Sequence, residues 1–213
     1  ALMVIAIGAL VLGAWRLGIP GGAGTLPGLA GLTPNASAGT IAAGIALFCF
    51  TFRPLKPLAR LIGFTLVLFG LLVLCEDLLG FDLGLDHALF PSTPADATVA
   101  HARMAPGITG SLILFGLALL YAQRGWASSA FSQVVTIIVL AQVLIVLAGY
   151  AYGVATYYYP FPFTSMSIYG AMSAFLLAFG LLAASPEYGV GAAIVEQSPA
   201  GEMLRRLLPG ILV

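Results

Sequence analysis

Few residues of this chain are equipped for chemistry, and their spacing excludes most reactions. The two histidines, His87 and His101, sit with Asp86 between apolar runs rather than inside them. No buried histidine pair exists to hold a haem, and three scattered ligands lack the spacing of a zinc site. Lys56 is the only lysine and lies outside the apolar runs, so no buried Schiff base can form. Cys49 and Cys75 lie within apolar runs without metal-type spacing, as inert thiols do. The glycine-rich stretch from Gly18 to Gly31 lacks the phosphate-loop lysine and its strand-to-helix setting. It reads as a flexible loop. No catalytic residue, metal or cofactor is therefore expected, and the chain is not read as an enzyme.

What remains is a set of polar side chains within or at the ends of apolar runs. Arg16 precedes Gly18 by two residues, while Asp77 and Glu76 precede Gly80 by three and four. Tyr150 and Tyr152 precede Gly153 in the same way, and Gln142 lies mid-run. If the three glycines mark one level, these residues share a single helical turn. Charges at such depth in an apolar medium pair or serve a function. Two readings stay open for Arg16 with Glu76 or Asp77: a structural ion pair, or a ligand-contacting site lined also by the two tyrosines. Glu76 is expected to point inward, being deeper and longer-armed than Asp77. Gln142 is expected to bridge helices.

The elements that must position these residues follow from composition. Of the 213 residues 61% are hydrophobic and 8% charged, against roughly 25% charged in soluble domains. Too few polar groups remain to cover a water-facing surface. A chain dissolved in lipid must satisfy its backbone internally, as helices or a closed barrel. The apolar runs are long and do not alternate, so helices are expected. Zero net charge offers nothing to nucleic acid.

The fold expected is an all-α integral membrane protein with about six transmembrane helices. They span about 1–17, 36–52, 58–79, 107–123, 131–153 and 166–184, with prolines between them. A cytoplasmic amphipathic segment, about 186–208, leads into the start of a seventh helix. Six of the eight basic residues (Arg53, Lys56, Arg60, Arg124, Arg205 and Arg206) fall on one side of this layout. The positive-inside rule makes that side cytoplasmic, with both chain ends. Loops 18–35, 80–106 and 154–165 then face outward, and Tyr157, Tyr158, Tyr159, Phe161 and Phe163 form an outer aromatic girdle. The location expected is the bacterial inner membrane.

The chain also repeats. Pro34, Gly44, Ala46 and Leu47 recur 72 residues later as Pro106, Gly116, Ala118 and Leu119. A third copy is read at Phe179-Gly180-Leu181, matched to Phe115-Gly116-Leu117. The odd-numbered spans share endings at Trp15–Gly18, Asp77–Gly80 and Tyr150–Gly153. Three tandem helical hairpins result, about 1–52, 58–123 and 131–184.

Leu32-Thr33-Pro34-Asn35, the stretch from Glu76 to Asp86, Arg103-Met104-Ala105-Pro106 and Gly149-Tyr150-Ala151-Tyr152-Gly153 occur in order, followed by Ser198-Pro199-Ala200-Gly201 and Arg205-Arg206-Leu207-Leu208-Pro209. Over almost the whole chain this resembles the amino-terminal membrane region of bacterial sensor histidine kinases and diguanylate cyclases. That family usually has an aromatic residue where this chain has Asp77. The resemblance implies a membrane sensory, signal-input domain of a two-component or cyclic-dinucleotide protein. Kinase or cyclase activity would belong to output domains beyond these residues. The alternative is an accessory subunit packed in a larger membrane assembly, such as a photosynthetic or electron-transfer complex. Either reading implies the lipid bilayer, other membrane helices or a homodimer partner as neighbours.

Overall fold

The computed structural model describes residues 1–17, 32–79, 104–122, 126–153 and 166–184, with the side chains of 126–128 excepted. Among them lie six α-helices and no strand. They are α1 (Leu2–Arg16), α2 (Pro34–Thr51), α3 (Lys56–Leu79), α4 (Pro106–Tyr121), α5 (Trp126–Tyr152) and α6 (Ile168–Ala183). The girdle at 157–163, the outward loops, both histidines and the 186–208 segment fall outside the described residues.

Local chemistry fixes where α2, α4 and α6 begin. Thr33 caps α2: its hydroxyl oxygen accepts from the Ala36 amide at 3.3 Å, and Pro34 follows in the first turn. Ser167 caps α6 in the same way, accepting from the Gly170 amide at 3.1 Å. Ala105 has no capping side chain, and α4 starts on Pro106 instead. Proline costs nothing there, because first-turn amides have no helical partner. α2 stops at Phe52, whose backbone is extended, and a 3-10 turn at Arg53–Leu55 hands the chain directly to α3. The Lys56 ammonium lies 5.7 Å from the centre of the Phe50 ring at this turn, within cation–π range.

α2, α4 and α6 all touch one another and form the centre. Gly39 of α2 lies against Leu112 of α4, while Gly170 of α6 lies near Leu32 and Ile108. The three run parallel. α1, α3 and α5 run antiparallel to them on the outside. Each outer helix lies against the inner helix that follows it and the one before: α3 against α4 and α2, α5 against α6 and α4, and α1 against α2 and α6. One end of the bundle, the capped end, therefore gathers the starts of the inner helices and the finishes of the outer ones.

Burial follows this geometry. The inner helices are buried over most of their circumference. The outer ones bury a narrow stripe, as in α3 at Ala59, Gly63, Leu66, Gly70, Val73 and Glu76. That spacing of three and four residues is a helix seam. The opposite faces expose large aliphatic and aromatic side chains, among them Leu10 at 74%, Leu61 at 61% and Val134 at 56%. Water would not tolerate this much contiguous apolar surface on a monomer.

Glycine brings the backbones close where lipid supplies no hydrophobic drive. A Cβ built on Gly116 would stand 2.6 Å from the Gly63 carbonyl oxygen. One on Gly8 would stand 3.0 Å from the Ser37 carbonyl oxygen.

Three helical stretches, Pro34–Thr51, Arg53–Leu79 and Ser129–Tyr152, are long and apolar enough to cross a membrane. Leu2–Arg16, Pro106–Tyr121 and Ile168–Ala183 are apolar but shorter. Each falls below the roughly 20 helical residues that span a hydrocarbon core unaided, because proline or a polar cap sets the start of α4 and α6.

The exposure pattern recurs along the chain. In α3 and α5, from Leu66 to Leu79, each residue is buried or exposed as its counterpart 73 positions later. α1 matches α3 at a shift of 62: Val4 with Leu66, Gly8 with Gly70, Val11 with Val73. The inner helices align from their caps, at Thr33, Ala105 and Ser167. Gly116 corresponds to Ala178, not to Gly180, which instead receives the Leu47 side chain.

Candidate functional site

The final turns of the outer helices meet the first residues of the inner ones at the capped end, and polar groups collect there. The Trp15 indole N–H donates to the Leu32 carbonyl at 3.2 Å. The Tyr150 hydroxyl donates to the Met166 carbonyl at 2.9 Å. Leu32 and Met166 each immediately precede a capping residue, Thr33 or Ser167. Trp15 and Tyr150 share one register with Asp77 between them. Two of the three hairpins are thus latched by an aromatic donor to a buried carbonyl. The middle hairpin carries a half-buried carboxylate, Asp77, at that position.

Glu76, one residue deeper, is only 3% exposed. It continues the packed seam of α3 rather than leaving it. The carboxylate expected to point inward does so, and Asp77 takes the shallower position. Arg16 lies on the exposed side of α1, and Tyr152 is 81% exposed at the end of α5. Gln142 donates from Nε2 to the Gly107 carbonyl at 3.3 Å, bridging α5 to the first turn of α4. Gly153 ends α5 with φ +65°, the left-handed conformation that favours glycine at a helix C-terminus.

Cys49 is buried, Cys75 is exposed, and neither is in a disulfide. Among the described residues no three histidine, cysteine, aspartate or glutamate side chains gather into a metal-binding group. Among the described residues the chemistry at the capped end rests on the buried carboxyl group of Glu76. It can accept hydrogen bonds, hold a cation or exchange a proton.

In the sequence Trp15 marks only a helix end, although an indole that near a helix end needs a partner once buried. α5 also carries a polar stripe, Ser129, Ser132, Gln133 and Thr136, that the hydropathy of the sequence does not single out. Its spacing of three and four residues marks one helix face, and all four side chains are buried.

No protein-family model matches the chain, and neither a curated protein nor a solved structure matches it.

Proposed function

We propose that this chain is a membrane sensory domain, built as three tandem hairpins with six crossings, whose stimulus acts at the capped end around Glu76. The burial of Glu76 carries this reading. Ionisable side chains inside membrane bundles are expensive and mark functional positions. Glu76 is 3% exposed in a seam otherwise made of alanine, glycine, leucine and valine. Protonation, or contact with a cationic or hydrogen-bonding ligand, would change the charge of that seam. α3 runs without interruption from Glu76 to the basic turn at Arg53–Lys56, so a shift at one end is transmitted to the other. The basic turn suits the cytoplasmic side of a bacterial inner membrane.

The test is Glu76→Gln in the complete protein, in its own cells, with phosphotransfer or cyclic-dinucleotide output measured. A constitutively altered output with normal membrane expression is expected. Unchanged output at every stimulus level would remove the reading.

The accessory-subunit reading is favoured by a different observation. Large apolar side chains are exposed on the outer faces of α1, α3 and α5, and a neighbouring membrane protein would cover them as well as lipid does. Purification in mild detergent separates the two. Stoichiometric co-purification with a multi-subunit complex would favour the accessory role.

A further inference from the structure

One face of α3 changes character along its length. Arg53, Lys56 and Arg60 follow one another at spacings of three and four residues, and Phe64, Val67 and Leu71 continue the same row. The basic part covers the 3-10 turn and the first turns of α3, and the apolar part runs on toward the middle of the bundle. We propose that this face binds an acidic phospholipid, with its phosphate diester at Arg60 and an acyl chain along Phe64 and Leu71.

Arg60 is the anchor. It lies seven residues past Arg53, roughly 10 Å further into the helix. A Cβ built on Gly63 would stand 3.2 Å from the Gly116 carbonyl oxygen and 3.3 Å from the Leu119 Cβ. Arg60 is one turn before Gly63 and α4 runs the other way, so Arg60 is level with the end of α4 near Tyr121. A Cβ on Gly116 would stand 2.8 Å from the Val67 side chain, so the row flanks α4. Arg60 is half-buried, and its Nε is buried with no hydrogen-bond partner. A charged side chain inside a membrane helix requires a partner. The planar fork of a guanidinium takes phosphate oxygens in pairs.

The surroundings suit a lipid. Phe64 and Leu71 are exposed directly above the basic residues. Across α4, the exposed Tyr121 and Phe131 rings lie edge to face with their centroids 5.0 Å apart. Aromatic rings at a helix end sit where headgroup meets chain. Basic pockets between membrane helices hold acidic headgroups. Arg53 is exposed, and the Lys56 ammonium lies over the Phe50 ring, which leaves its charge in place. Both therefore add attraction for an anion. A zwitterionic lipid brings the same phosphate with a choline that three cations repel. The site requires only that α3 crosses the bilayer and is independent of any role for Glu76.

The test uses the purified chain in an uncharged detergent. Its thermal midpoint is measured with rising phosphatidylglycerol, with phosphatidylcholine of the same acyl chains, and with inorganic phosphate. A saturable rise on the order of 5 °C is expected with phosphatidylglycerol over phosphatidylcholine, and none with phosphate. Arg60→Gln should weaken the apparent phosphatidylglycerol affinity about tenfold, the loss of a hydrogen-bonded charge. Arg53→Gln, a change at an exposed position, should weaken it about threefold. Native mass spectrometry of the unmodified protein supplies a readout that needs no variant. It should show one phosphatidylglycerol retained in preference to phosphatidylcholine. Equal midpoints in the two lipids, a rise reproduced by phosphate alone, or a phosphatidylglycerol affinity unchanged by Arg60→Gln would each overturn the proposal.

Discussion

The Trp15 indole N–H and the Leu32 carbonyl, 3.2 Å apart, close the first hairpin at the level where Tyr150 and Met166 close the third. Each latch holds the residue before a helix cap. The outer helix therefore fixes the entry angle of the inner helix beside it. Tyr150→Phe removes only the hydroxyl and leaves the Met166 carbonyl without that donor. Such bonds are worth about 0.6–1 kcal/mol in membrane proteins, or roughly 2–4 °C in a chain of this size. A thermal midpoint unchanged by Tyr150→Phe would show that the latch carries no stability.

Close backbone approach makes a second, sharper prediction. Gly116→Ala would place a methyl group 2.6 Å from the Gly63 carbonyl oxygen. Backbone cannot swing aside as a side chain does, so α3 and α4 must separate. A cost of about 1–3 kcal/mol follows. Gly110→Ala is the internal control, because a Cβ there meets nothing within 4 Å, and alanine favours helix over glycine by up to about 1 kcal/mol. Denaturant titration should show the first variant destabilised and the second unchanged or stabilised. Equal behaviour would mean that α3 and α4 do not pack as described.

Topology gives a third prediction, motivated by the basic residues at Arg53, Lys56 and Arg60. In a background with Cys49 and Cys75 replaced, a cysteine at Ser92 should react with an impermeant thiol reagent from outside intact cells. One at Ser128 should react only after the membrane is opened. Labelling of both from the same side would overturn six crossings.

The helices were legible because their apolar runs are continuous and their starts carry proline or a cap, as at Thr33-Pro34 and Ala105-Pro106. The start of α5 was not. Hydropathy placed it near residue 131, whereas the helix begins at Trp126. Ser129, Ser132 and Gln133 look like an interfacial boundary to a hydropathy count, but their polar groups are buried between helices. Partners from another helix, such as the Ala118 carbonyl for Ser132, leave no mark in local sequence. Part of the capped end is legible from the same spacing, since Gly80 and Gly153 put Asp77 and Tyr150 at one level; Trp15 is not, because the charge of Arg16 beside it draws the eye first. Which of them hydrogen-bond to the following cap depends on tertiary approach, and that only the folded bundle reveals.

The last prediction concerns Glu76 and separates function from architecture. In the common register of the outer helices, Glu76 occupies the place of Ala14 in α1 and Gly149 in α5. Those two hairpins pack with one methyl group or none at this level, so packing alone does not call for a long ionisable side chain. Burying a carboxyl group is costly unless it is well satisfied, and a stability-driven sequence would place a small residue here. Glu76→Ala should therefore keep thermal stability within about 1 kcal/mol of the unmodified protein or raise it, as changes that relieve functional strain do. Signal output should be lost in the same variant, and Glu76→Gln, which keeps the shape, should lose the charge-dependent part of the response. The stability arm is read by thermal denaturation in detergent, and the output arm in cells. A drop of about 3 kcal/mol or more in Glu76→Ala, the size that follows from breaking a buried ion pair, would assign the residue to the structural scaffold instead. In that case Arg16→Ala should lose a similar amount, and the double variant should lose little more than either one alone.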